Sequence, residues 1–191
     1  MSLCVLEEET FRHCCRLILQ QSEQLRDGWS WESVQSVLVA SAGADSIQGD
    51  IDDEDDDADE GVCTVSEGSS QVLQYEYHIL YSCSYSTPVL YFRAFTLGRS
   101  LSLQEVWSSV HSNFSFRLQN SPLNTITQQE HPLLGQPFFM LHPCRTEEFM
   151  RPVLQVAQDH NRPVNYVLTW LSVVGPMVGL DVPLKYTTSH Y

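Results

Sequence analysis

Apolar residues in the first part of the chain recur at helical spacing. Phe11, Cys14, Cys15, Ile18 and Leu25 fall near one face of a helix over residues 6–26. Glu7, Glu8 and Glu9 sit where the positive end of the helix dipole favours carboxylates, and Gly28 supplies a stop. The adjacent thiols of Cys14 and Cys15 read as core filling. A helix lying in a membrane surface would carry Lys or Arg on its polar face, and three glutamates stand at its start instead.

The period then shortens. "WESVQSVLVAS", residues 31–41, predicts a first strand. In "QVLQYEYHILYS", residues 71–82, Leu73, Tyr75, Tyr77, Ile79 and Tyr81 face one way, and Gln74, Glu76 and His78 the other. "SYSTP" is a turn signal and "PVLYFRAF" a third strand. Strands joined by so short a link form an antiparallel meander. Ser102 and Glu105 have the spacing of a capping box, so a short helix starts at 103. Residues 111–136 are irregular and rich in Asn, Gln, Ser and Pro, and "PFFML" is a brief fourth strand.

Two helices complete the pattern. Met150, Val153, Leu154 and Ala157 make the stripe of the first, with Pro152 delaying its start to about the second turn. "NRPVNYVLTWLSVVGP" is the second. Asn161 or Arg162 caps it, Pro163 opens it, and Gly175 and Pro176 close it. Tyr166, Trp170 and Val173 form its buried face. Strands and helices in separate blocks indicate an α+β fold, an antiparallel meander with helices packed on one side.

Charge changes this picture at one place. The chain has 191 residues, enough for one domain over 1–191, and a formal net charge of −14. Residues 43–70 carry eleven Asp or Glu and no Lys or Arg, which leaves 13 acidic against 10 basic residues elsewhere. That run buries too little to offset its ordering entropy and reads as a disordered acidic insertion loop. It lacks the glycine turn and terminal Glu of an EF-hand at the right spacing. The rest is nearly neutral, with no basic patch for nucleic acid. No apolar run approaches the ~20 residues of a transmembrane helix. The start, "MSLCVLEEET", lacks the basic and apolar regions of a secretion signal, so a cytoplasmic location is expected.

Cysteine supplies the candidate chemistry. Cys4, Cys14, Cys15, Cys63, Cys83 and Cys144 show no regular spacing and no CxxC, which points to reduced thiols and away from disulfides or a metal. Cys144 stands apart. It follows a strand and His142-Pro143 and opens a helix, where a thiolate is favoured. Spacing alone leaves it open between a structural thiol and a nucleophile. A cysteine phosphatase would need a Gly-rich loop and an Arg six residues on, where Met150 stands. A papain-like arrangement would need an early cysteine, and an oxidoreductase a CxxC.

Three segments carry a family resemblance: "EHPLLGQPFFMLHPC" at 130–144, "YSTPVLYFR" at 85–93 and "YVLTWLSVVGPMVGLDVP" at 166–183. With the order helix, meander, helices, the chain resembles the ubiquitin-conjugating-enzyme-like (E2-like) proteins of autophagy over nearly its whole length. The acidic insertion matches no family motif. The resemblance implies a ubiquitin-conjugating-enzyme-like fold and a two-step transfer without cofactor. An E1-like activating enzyme, autophagy-related protein seven, presents a ubiquitin-like protein, autophagy-related protein twelve, as a thioester. Cys144 accepts it and passes it to a lysine of autophagy-related protein five. Relatives on the same fold that lack the cysteine are binding modules of the RWD type. A longer sister enzyme, with a membrane-sensing N-terminal helix, shares His-Pro-Cys but conjugates its modifier to a lipid.

The chain departs from ordinary ubiquitin-conjugating enzymes at one point. Those carry His-Pro-Asn before the cysteine, and the Asn amide helps the oxyanion. Here His142-Pro143 abuts Cys144 itself. Candidates for the missing role are Asn124, Asn113, Tyr85 and Tyr91, sheet packing being the plainer reading for each tyrosine. His142 either orients the loop or modulates the thiol, and a His-Pro pair favours the first. The acceptor is expected to dock on the meander, on an exposed face bearing Tyr75, Tyr77 and Tyr81.

Overall fold

A computed structural model describes residues 4–32, 37–44, 73–96, 98–109 and 126–187. Helix α1 spans Glu8–Leu25 and buries Phe11, Cys14, Cys15 and Ile18, the face its apolar spacing implies. It stops earlier than Gly28. Arg26 takes the left-handed conformation, φ 56°, and its N–H returns to the Ser22 carbonyl at 2.7 Å.

The segment read as one strand at 31–41 is two. β1, Ser30–Glu32, pairs antiparallel with β2, Val37–Ala44. Alternation cannot see a chain reversal inside a run with no glycine or proline. β2 also takes in Gly43 and Ala44, the first two residues of the acidic run. The remainder of that run lies outside the described residues.

β3, Leu73–Ser82, and β4, Thr87–Thr96, form the central ladder, with Tyr77 opposite Phe92 and His78 opposite Tyr91. β5, Arg99–Ser100, is a short addition to β4. Helix α2, Leu103–Ser109, starts with the expected capping box: Ser102 Oγ accepts the Glu105 N–H at 3.3 Å, and the Glu105 carboxylate accepts the Ser102 N–H at 2.7 Å. The end of the stretch read as irregular is a strand. β6, Ile126–Glu130, pairs with β7, Pro137–Leu141, which pairs with β4. Four of the five β6 residues are exposed, so no apolar alternation announces it. Among the described residues the strands make one antiparallel sheet in the order β1-β2-β3-β4-β7-β6.

One face of this sheet is dry. Tyr75, Tyr77, Ile79, Leu90, Phe92, Phe139 and Leu141 join the apolar sides of α1 and the later helices in the main core. Tyr77 is fully buried, and its hydroxyl donates to the Val178 carbonyl at 2.9 Å, which relieves the cost of burying a polar group. The acceptor surface expected from Tyr75, Tyr77 and Tyr81 therefore does not exist. Tyr75 and Tyr77 are buried under helices, and Tyr81 is half-buried against α1 through the Phe11 ring.

Helix α3, Thr146–Asp159, begins a full turn before Pro152 rather than after it. Pro152 lies on the exposed side of the helix, away from the core that Met150 and Leu154 enter. Met150 and Leu154 are buried, but Val153 is 39% exposed and outside the stripe. Helix α4, Tyr166–Val174, is capped by neither Asn161 nor Arg162. Asn165 caps it: its side-chain oxygen accepts the Leu168 N–H at 3.0 Å, and its amide donates to the Cys14 carbonyl of α1 at 2.9 Å. Tyr166 and Trp170 are buried as expected, whereas Val174 is fully buried and Val173 only partly. A 3-10 turn at Gly175–Val178 closes the helix tightly. A Cβ on Gly175 would stand 2.7 Å from the Leu180 carbonyl oxygen.

Candidate active site

Cys144 sits in a 3-10 turn, Pro143–Arg145, between the end of β7 and the start of α3. β7 is anchored by buried Phe138, Phe139, Met140 and Leu141, and α3 by Met150. The link between them is short, so the thiol is held on a rigid frame yet exposed. His142 caps the turn. Its Nδ1 accepts the Cys144 N–H at 3.2 Å. With Nδ1 accepting, the neutral imidazole carries its proton on Nε2. Nε2 lies 3.5 Å from the Tyr85 hydroxyl, and the two rings meet edge to face at 5.3 Å and 82°. That polar contact is weak at this length, and the ring contact fixes the pair.

Tyr85 lies in the turn between β3 and β4 and is 49% exposed. A cavity of about 280 Å³ opens beside it, bounded by Tyr85, His142, Pro143, Tyr91, Met140 and Gln129. The structure thus brings Cys144, His142 and Tyr85 to one place. Tyr91 lines the cavity, packed edge to face on His131 at 5.0 Å, and burial pushes its hydroxyl pKa up. Asn124 and Asn113 lie outside the described residues.

The other thiols are sorted by burial. Cys4, Cys14 and Cys15 are buried, and burial raises the pKa of each. Core filling is the right account of the Cys14-Cys15 pair. Cys83 is exposed in the same turn as Tyr85, and Cys63 lies outside the described residues. Among the described cysteines, only Cys144 has an imidazole-capped turn beneath it.

A second cluster on the outer sheet face was not legible in the sequence. His78 was expected on the polar side of β3, yet it is buried, as is His131 at the turn that follows β6. The Leu133 and Leu134 N–H groups point to His131 Nδ1, both at 3.3 Å, so His131 Nε2 donates to His78 Nδ1 at 3.2 Å. His78 Nε2 then donates to Glu76 at 2.8 Å, and Glu76 accepts from Arg93 at 2.7 Å. Burial, with His78 alongside, lowers the His131 pKa to about 4. Burial pushes the Glu76 carboxyl up, but hydrogen bonds from Arg93 and His78 outweigh it and hold it below its ordinary value. The Phe138 ring of β7 packs on both histidines, at 5.1 and 4.7 Å.

The family described as autophagocytosis associated protein, active-site domain, matches residues 10–185. The chain belongs to that family. It is 44% identical to the human ubiquitin-like-conjugating enzyme ATG10 over 94% of this chain and 91% of that protein. It is 37% identical to the protein of the same name from Dictyostelium discoideum, over 59% of this chain and 53% of the relative. A crystal structure described as autophagic E2, Atg10, superposes with a TM-score of 0.55 over 91% of this chain and 97% of that one, at 11% identity, which shows the shared fold. As a member of this family the chain is an E2-like conjugating enzyme of autophagy, a class that carries its ubiquitin-like cargo as a cysteine thioester. No helix among the described residues is long and apolar enough to cross a membrane.

Proposed function

We propose that Cys144 is the cysteine that carries the modifier, and that it works in the cytoplasm on the proteins named by the sequence resemblance. Autophagy-related protein seven charges it, autophagy-related protein twelve is the cargo, and a lysine of autophagy-related protein five is the acceptor. One observation carries the reading: an exposed thiol on a turn whose N–H is bound by His142 Nδ1 at 3.2 Å, beside an open cavity.

In the first step Cys144 Sγ attacks the carbonyl carbon of the incoming thioester. A new C–S bond forms, the donor enzyme's thiolate leaves, and the proton lost by Cys144 goes to solvent or to that thiolate. In the second step the neutral lysine amine attacks the same carbon. The Cys144 thiolate leaves, the nitrogen loses a proton, and an isopeptide bond remains. Both steps pass through a tetrahedral oxyanion. The thioester supplies the driving force, so the chain's task is placement and oxyanion stabilisation.

His142 orients rather than acts as a base. Its Nδ1 lone pair is occupied by the turn, and Nε2 carries the proton. Facing Tyr85, that N–H leaves the phenol's own O–H free to donate to an oxyanion. Tyr85 thus serves where ordinary ubiquitin-conjugating enzymes use an asparagine amide.

The test is a charging reaction with activating enzyme, ATP and modifier, read on a non-reducing gel. The parent chain is expected to form a thiol-labile adduct, and Cys144→Ser a thiol-resistant oxyester. A thiol-labile adduct that persists in Cys144→Ser would refute the assignment.

A further inference from the structure

The segment before α1 makes no contact that the family reading uses, yet it is tied down at four points. Leu6 is 3% exposed, although Val5 beside it is 59% exposed. The Leu6 N–H donates to the Ser86 carbonyl at 2.9 Å. The Tyr81 hydroxyl donates to the Leu6 carbonyl at 2.7 Å. The Tyr166 hydroxyl, at the start of α4, donates to the Cys4 carbonyl at 3.1 Å. The Cys4 thiol reaches the Glu147 carbonyl in the first turn of α3 at 3.9 Å. A strap of three residues therefore bridges the two elements that meet at the site: the β3–β4 turn that carries Tyr85, and the helix that Cys144 leads into.

We propose that Leu6 is a positioning residue for the transfer reaction, holding the Tyr85 turn against His142. The turn needs a hold from outside. Ser86 has φ 49°, a left-handed conformation that residues with a Cβ adopt reluctantly. Its carbonyl is the atom that Leu6 binds, and Tyr81 anchors the strand just before the turn to the same residue. Tyr85 precedes Ser86, so its ring direction follows the backbone that Leu6 fixes. The effect on chemistry passes from the strap to Tyr85, then His142, then the Cys144 turn. A shift of about 1 Å in such a group is enough to slow a reaction measurably. Tyr166 supports the strap from the core, apart from Tyr85, His142 and Cys144.

This inference rests on the reading of Cys144 and Tyr85 above, and the experiment separates the two. Full-length protein is charged with modifier, and single-turnover transfer to the acceptor is measured for Leu6→Pro, Leu6→Ala and Tyr166→Phe, each with and without Tyr85→Ala. Leu6→Pro removes the N–H bound to Ser86, whereas Leu6→Ala keeps it. Leu6→Pro is expected to lower the maximal transfer rate about three- to tenfold, and Tyr166→Phe about two- to threefold, with KM for the acceptor unchanged. In the Tyr85→Ala background neither has a further effect. Losses that persist undiminished in that background, or that move KM alone, overturn the proposal, as does an unchanged rate in both Leu6→Pro and Tyr166→Phe. Should Leu6→Pro not fold, Tyr166→Phe decides by the same criteria. Failure of the parent chain to charge at Cys144 defeats the functional reading instead.

Discussion

Nδ1 of His142 and the backbone N–H of Cys144 stand 3.2 Å apart, so the histidine builds the turn on which the cysteine rides. The same contact fixes the imidazole proton on Nε2, toward Tyr85. One side chain thereby meets the cysteine's turn on one side and the Tyr85 ring on the other, although it needs no direct part in bond making.

His142→Ala should lower transfer at least about tenfold, because the Cys144 turn loses its cap and Tyr85 loses its neighbour. His142→Asn keeps an acceptor able to cap and should recover stability, but not the full rate, since the ring contact to Tyr85 is gone. Thermal unfolding and single-turnover transfer, measured together, separate the two roles.

Tyr85→Phe keeps the ring on His142 and removes only the hydroxyl. Charging and transfer both form an oxyanion, so both should slow, by roughly tenfold to a hundredfold. A variant that changes only the acceptor's KM would mean that Tyr85 is a docking residue and not an oxyanion donor. Rates at saturating acceptor give the answer.

The outer-face histidine cluster makes stability fall in acid. The folded-state pKa of His131 is lowered to about 4 from an ordinary 6.5. Between those values the unfolded chain binds the extra proton, so stability is complete above about pH 6.5 and declines as pH falls toward 4. Glu76, whose carboxyl is also lowered, adds a loss only below the ordinary carboxylate range. Urea unfolding across this window should show the decline. His131→Gln, which cannot titrate, should flatten the part above pH 4.5 at some cost in stability at neutral pH.

Gly175→Ala should destabilise the fold by about 1–3 kcal/mol, because the new methyl would meet the Leu180 carbonyl oxygen at 2.7 Å and neither backbone can move cheaply. Denaturant unfolding measures it. The change lies in the closing turn of α4, so transfer by the folded fraction should stay at the parent rate.

Those sites show what the chain discloses by pattern and what it does not. The α1 face, the Tyr77 and Ile79 side of β3, the Ser102–Glu105 capping box and the final strand before Cys144 were all legible, because each repeats a local period or a local cap. His142, Cys144 and Tyr85 were legible as candidates through the family resemblance. Their mutual contact was not, since 57 residues separate Tyr85 from His142. The reversal before Val37 falls in a run without glycine or proline, β6 is largely exposed and so shows no apolar alternation, and the burial of His78 depends on His131, distant in sequence. The face bearing Tyr75 and Tyr77 was misassigned to a partner for the same reason. Alternation shows that two faces differ, and only the placement of the helices shows which one is dry.

The most direct measurement is peptide mass spectrometry of the modifier adduct trapped on Cys144→Ser after charging. The account expects the modifier's C-terminal carbonyl on the serine oxygen of the peptide that begins after Pro143, with Cys83→Ser charging like the parent. Acyl groups found instead on Cys83 or on any other thiol, with position 144 unmodified, would contradict it.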